Sequence, residues 1–119
     1  LRFLKANRIR NVVWLTADVH YAASHYYHPA KAAFTDFDPF WEFVSGPLHA
    51  GTFGPNALDQ TFGPVARWNS RPAGSATAGP HTPEQFFGTV RIDGRTQSAT
   101  VTHYNRDGVK LWSMELPPA

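Results

Sequence analysis

The run Val12-Val13-Trp14-Leu15-Thr16-Ala17, closing on Asp18-Val19-His20, decides how the rest of the chain is read. Val12 to Ala17 carries no charge, is too short for a typical helix and is rich in β-branched residues. Such a run predicts a strand buried on both faces, in the middle of a sheet covered by other layers. Just upstream, Leu1, Leu4 and Ile9 fall near helical spacing with basic residues between them, which predicts the end of a helix over Leu1 to about Arg8. A helix passing through a tight connection into a central strand is the grammar of a layered α/β or α+β protein.

Asp18 and His20 stand two residues apart at the carboxyl end of that strand. In extended geometry, residues i and i+2 project to the same side. The carboxylate and imidazole would then converge at the sheet edge where α/β proteins place ligands. Burying an ionised carboxylate there requires a cation or hydrogen bonds, and a metal ion supplies the cation directly. The same residues also fit a plainer reading, a strand end reaching solvent with Asp18 capping the next segment, because Asp-x-His is short enough to arise by chance.

Residues 21–40 are aromatic and mixed, with Pro29 and Pro39 bounding an irregular or partly helical stretch. On a helix, His25 and His28 would share a face and could ligate a metal. No His-Glu-x-x-His motif supplies the general base of a zinc protease, and packing or surface roles fit both residues better. Trp41-Glu42-Phe43-Val44 alternates large apolar residues around one acid and predicts a second strand. From Gly46 to Pro64, repeated Gly and Pro predict a long ordered loop. His49 lies in it, where glycine lets backbone approach a ligand closely, so a role as substrate contact or supporting residue stands level with a structural one. His81 and His103 read as structural.

The last third is a meander. Phe86–Ile92, Ser98–Tyr104 and Val109–Leu116 are β-rich, and Asp93-Gly94 and Asp107-Gly108 separate them as residues that accept positive φ. The domain organisation is one unit: a strand and site-loop half over 1–66, a surface excursion over 67–83 and the β-meander over 84–119.

Composition closes off other classes. The 119 residues suffice for a single domain, and no apolar run approaches the roughly 18 residues of a membrane-spanning helix. There is no cysteine, hence no disulfide framework, thiolate metal site or cysteine nucleophile. Residues 1–10 hold Arg2, Lys5, Arg8 and Arg10 and no acid, whereas 11–66 set Lys31 against Asp18, Asp36, Asp38, Glu42 and Asp59. The acidic middle also holds four of the six histidines, a pattern that suits metal better than nucleic acid. Neither a Gly-x-Ser-x-Gly elbow nor a phosphate-cradling glycine motif occurs. A first residue other than Met, in apparent mid-domain sequence, suggests a piece of a longer protein.

Asn11 through His20 resembles the late metal-binding motif of PhoD-like alkaline phosphatases, a hydrophobic strand followed by Gly-Asp-x-His, with Ala17 in place of the glycine. Trp41 to Pro47 resembles that family's next strand and loop, and Phe87 to Leu116 its closing β-meander. The resemblance implies an α+β fold, the C-terminal part of a layered αββα metallophosphoesterase sandwich with a mixed sheet ending in an antiparallel β-meander. It implies a metal-dependent phosphoester hydrolase with a dinuclear centre, Asp18 and His20 each helping to hold one cation. Ca²⁺ with iron or manganese would suit those donors. It further implies a secreted or periplasmic location. The family's earlier ligand motifs do not occur here, so the chain alone is expected to be inactive and to dock on the upstream half of its own protein or self-associate. The competing expectation is a non-catalytic β-rich binding or assembly domain in which Asp18 and His20 are structural.

Overall fold

A computed structural model describes residues 1–119. The first segment is a single helical turn and a half, α1 (Arg2–Ala6), followed by the strand β1 (Val13–Thr16). Then come β2 (Ala23–Tyr27), a short 3-10 turn (Pro29–Lys31), β3 (Phe40–Val44) and β4 (Pro64–Asn69). The chain closes with β5 (Phe86–Ile92), β6 (Ala99–Asn105) and β7 (Lys110–Leu116). β1 to β4 make one mixed sheet in the order β1-β3-β2-β4, in which only the β1–β3 pair is parallel. β5 to β7 make the second sheet, an antiparallel meander. The class is therefore α+β, a mixed sheet joined to a meander.

Two layers of aromatic residues hold this arrangement. Between the sheets, Trp68 stacks on His103 with ring centroids 5.1 Å apart, and Trp112 and Phe43 pack around the same imidazole. Strand alternation puts Phe43 on this inner face and Glu42 on the outer one. Under the loop before β4, Phe34, Phe37, Phe40 and Phe62 form a second cluster around Phe37, which is 2% exposed. Fully burying a side chain of this kind is worth roughly 1.5–3 kcal/mol.

Three expectations need correction. β1 is an edge strand, not a central one: only β3 pairs with it, and Trp14 and Leu15 are 45% and 62% exposed. Apolar composition records what a strand could bury, not where its neighbours come from, and β3 takes the inner place because it is paired along both edges. His25 and His28 do not lie on a helix: Ala23–Tyr27 is a strand, while the stretch between Pro29 and Pro39 is irregular with one 3-10 turn, as expected. In β2, His25 sits opposite Glu42 in the ladder, while His28 caps the 3-10 turn by accepting the Ala30 N–H, so the two histidines share no helix face. Lastly, the Asp93-Gly94 hairpin forms, but its positive φ falls on Gln97 (60°). The Asp93 carboxylate accepts the N–H groups of Arg95 and Thr96, which makes the loop an Asx turn and leaves Gly94 without that role.

The loops are built as firmly as the strands. Thr52 and Ala78 form an isolated antiparallel bridge, so the excursion after β4 folds back on the loop after β3. Arg71, 3% exposed, donates to the Glu84 carboxylate and the Ala76 carbonyl and fastens that excursion from inside. Part of the basic N-terminus is neutralised locally, since Arg2 and Lys5 each lie 3.1 Å from the Asp36 carboxylate.

Candidate functional site

The residues beyond the carboxyl end of β1 do not continue as a strand. Asp18 adopts φ 76°, a left-handed conformation that Asp tolerates better than most side chains. The rule placing i and i+2 on one side of an extended chain therefore does not apply to Asp18 and His20. A sharp turn takes the place of the extended segment, with the Asp18 side chain exposed at its tip.

His20, partly buried, is held from three sides by residues 51–53. Its Nδ1 lies 2.5 Å from the Gly51 carbonyl oxygen, its own carbonyl accepts the Phe53 N–H at 3.1 Å, and its ring stacks on Phe53 with centroids 4.5 Å apart. A carbonyl can only accept, so Nδ1 carries a proton, and the tautomer that this contact selects leaves Nε2 as a lone pair. That is the arrangement of a metal-ligating histidine, whose second nitrogen commonly donates to a carbonyl or carboxylate. Asp18 adds an exposed carboxylate, a hard oxygen donor, two residues away. A carboxylate and an imidazole are both donor types that a cation takes, although the left-handed turn removes the extended geometry that would set them side by side. No group of three or more His, Asp or Glu side chains in the chain could hold a metal ion unaided.

A second polar cluster lies on the outer face of the mixed sheet. The Glu42 carboxylate accepts from Thr16 Oγ1 of β1 at 2.9 Å, and on its other oxygen from Tyr27 OH at 2.6 Å. His25 Nδ1 stands 3.1 Å from that same oxygen, so one side chain ties three strands together. The hydrogen bond from His25, helped by Tyr27 and Thr16, outweighs burial and brings the Glu42 pKa down to about 2. Tyr27 is pushed the other way, first by burial and then by the adjacent carboxylate. A cleft of about 310 Å³ opens over this cluster beneath the 56–62 loop, bordered by Ala17 and Val19 on either side of Asp18. Every Glu42 oxygen is already satisfied, which marks the cluster as a brace for the strands.

His103 has the opposite environment to His20. It is completely buried between the sheets, its Nε2 3.0 Å from Ser24 Oγ and its Nδ1 3.1 Å from Ser45 Oγ. Burial brings its pKa down to about 4, so it is neutral, donating to one serine and accepting from the other. Both nitrogens are used, in keeping with a structural role. His49 is exposed in its loop and meets His81 edge-on, with ring centroids 6.3 Å apart, so the structure brings together two histidines that the sequence separates.

Sequence reasoning missed the residues that orient His20. Gly51 and Phe53 come more than thirty positions after it, and no local pattern announces the contact. The glycine-rich composition of 46–54 was the only signal. At Gly54, with φ 105°, an added Cβ would lie 2.6 Å from the Tyr21 ring, so the loop's close approach requires glycine there.

Among family models, that of the PhoD-like phosphatases matches residues 1–103, a span that contains both sheets up to His103 and the whole Asp18–His20 turn. No curated protein and no solved structure matches the chain.

Proposed function

The chain belongs to the PhoD-like phosphatase family, and from that membership we propose that it supplies two ligands, Asp18 and His20, to a metal-dependent phosphoester hydrolase. The observation that carries the metal role is the His20 imidazole, whose Nδ1 is spent on the Gly51 carbonyl and whose Nε2 is left as the free donor. The family is metal-dependent, and this turn offers the donor types such an ion needs. Asp18 suits Ca²⁺, and the imidazole suits iron or manganese.

A cation bound there supplies Lewis acidity and charge neutralisation to the phosphoryl group. The chain's own contribution is orientation. The Gly51 carbonyl fixes the tautomer of His20, Phe53 fixes the ring plane, and the left-handed turn at Asp18 brings its carboxylate out of the β-sheet. The cleft lined by Ala17 and Val19, the neighbours of Asp18 in the chain, is space that the organic part of a phosphate ester could use. We keep His49, exposed in the loop that carries Gly51, as a candidate substrate or supporting residue.

Two ligands do not fix a pair of cations, so we expect no hydrolysis from the 119 residues alone and activity only once further ligands complete the set. The unpaired edge of β1 and exposed Val13, Trp14 and Leu15 are where such a segment would dock. The test compares this chain with a longer protein that includes the preceding sequence, using chromogenic phosphate monoesters and diesters. Hydrolysis by the longer protein alone, removed by His20→Ala, is expected. Hydrolysis by neither form, with folding intact, would favour a non-catalytic assembly domain.

A further inference from the structure

We propose that Gln85 is the positioning residue for His20, acting through the backbone of residues 50–53. The inference rests on reading His20 as a metal ligand and extends it to the element that fixes its orientation. Gln85 is 2% exposed, an unusual place for an amide unless its hydrogen bonds are met. Its Nε2 donates to the Ala50 carbonyl at 2.9 Å and its Oε1 accepts the Ala50 N–H at 3.1 Å. The side chain therefore pairs with Ala50 through both of its groups, as a neighbouring strand would, although no strand runs there.

The same amide reaches Thr52 Oγ1 at 3.4 Å and the Glu84 carbonyl at 2.9 Å. Thr52, completely buried, donates its hydroxyl to the Glu84 carbonyl and exchanges both backbone hydrogen bonds with Ala78, at 2.7 and 2.9 Å. Ala50 and Thr52 are thus fixed on either side of Gly51. Gly51 is left with its carbonyl pointing at His20 Nδ1, and Phe53 comes next with its N–H on the His20 carbonyl. A glycine between two anchored residues would otherwise be the most mobile point of the loop. Just beyond Gln85, the Phe86 N–H donates to the Pro47 carbonyl at 2.8 Å, so the start of β5 holds the same loop at its other end.

The readout is the pair of imidazole nitrogens of His20, monitored by ¹⁵N NMR on histidine-labelled, metal-free protein at a pH where the ring is neutral. The wild type should show one tautomer, protonated on Nδ1. Gln85→Met keeps the length and removes the amide. It should let the Nε2-protonated tautomer appear and speed exchange of the Nδ1 proton with water by about tenfold, the equivalent of one lost hydrogen bond. The His103 signals, held by Ser24 and Ser45, should not move and report that the fold is intact. Mn²⁺ affinity should fall by about tenfold or more, the range typical of a lost partner of a metal ligand.

A His20 spectrum in Gln85→Met identical to wild type, or an unchanged Mn²⁺ affinity, overturns the proposal. If that variant also disturbs His103, Gln85→Glu is read instead, since it keeps an acceptor for Ala50 but loses the donor. Disturbance of His103 in both variants would show that Gln85 supports the fold at large and would also overturn a positioning role. Unchanged Mn²⁺ affinity in His20→Ala would instead remove the ligand reading itself. That failure is separable, because the wild-type tautomer is measured without metal.

Discussion

His20 and His103 are the same side chain in two regions built to opposite ends. Between the sheets, His103 has both nitrogens satisfied, no solvent contact and a pKa brought down to about 4. At the end of β1, His20 has one nitrogen satisfied by a backbone carbonyl and an aromatic ring fixing its plane, and its other nitrogen is left open. Satisfying both nitrogens yields cohesion, whereas satisfying one yields an oriented donor. That difference separates the two rings where aromatic packing does not, since both residues are packed against aromatic rings.

Substituting each histidine should pull the two roles apart. In the longer protein proposed to be active, His20→Ala is expected to lower phosphoester hydrolysis by more than about 100-fold, beyond what loss of a ligand's supporting partner costs. It should change stability by no more than about 1 kcal/mol, because the ring is only partly buried. Steady-state kinetics and urea unfolding on the same preparations check both halves. His103→Leu should do the reverse to stability, costing about 2–4 kcal/mol in urea unfolding by stranding the Ser24 and Ser45 hydroxyls in the core.

Acid should act on the buried histidine first. Because folding depresses the His103 pKa from 6.5 to about 4, the unfolded chain binds more protons within that window. Its contribution is fully present above pH 6.5 and is lost as pH falls towards 4, by about 2–3 kcal/mol. Glu42 titrates in a lower window, between 4.5 and about 2, because its carboxyl is also depressed in the folded state. Denaturant midpoints measured across pH 7.5 to 4 should therefore slope in wild type and flatten in His103→Leu. A smaller effect is expected at Gly88, where an added Cβ would lie 2.6 Å from Ser45 Oγ and push that hydroxyl off His103. Gly88→Ala should cost about 1–2 kcal/mol and leave the His20 signals untouched.

Much of this was legible in the sequence, for identifiable reasons. The meander announced itself through two Asp-Gly pairs between β-rich runs, and β3 through alternation around Glu42. β2 did not, because Ala23-Ser24-His25-Tyr26-Tyr27 alternates neither in size nor in polarity, and its polar members are satisfied by residues far along the chain. β4 begins at Pro64, tolerated at the first residue of a strand but read in isolation as loop. The edge position of β1 depends on which strand pairs with β3, which composition does not encode. At the site, Asp18 and His20 stood out as a motif. The apparatus that orients His20 is assembled from Gly51, Phe53 and Gln85, all contacts of long sequence separation.

The most direct measurement is a Mn²⁺ titration of ¹⁵N-histidine-labelled protein observed at the imidazole nitrogens, where paramagnetic broadening registers even weak binding. His20 Nε2 should broaden first, and His103 should stay sharp throughout. A His20 signal that survives Mn²⁺ unchanged, while other histidines broaden, would contradict this.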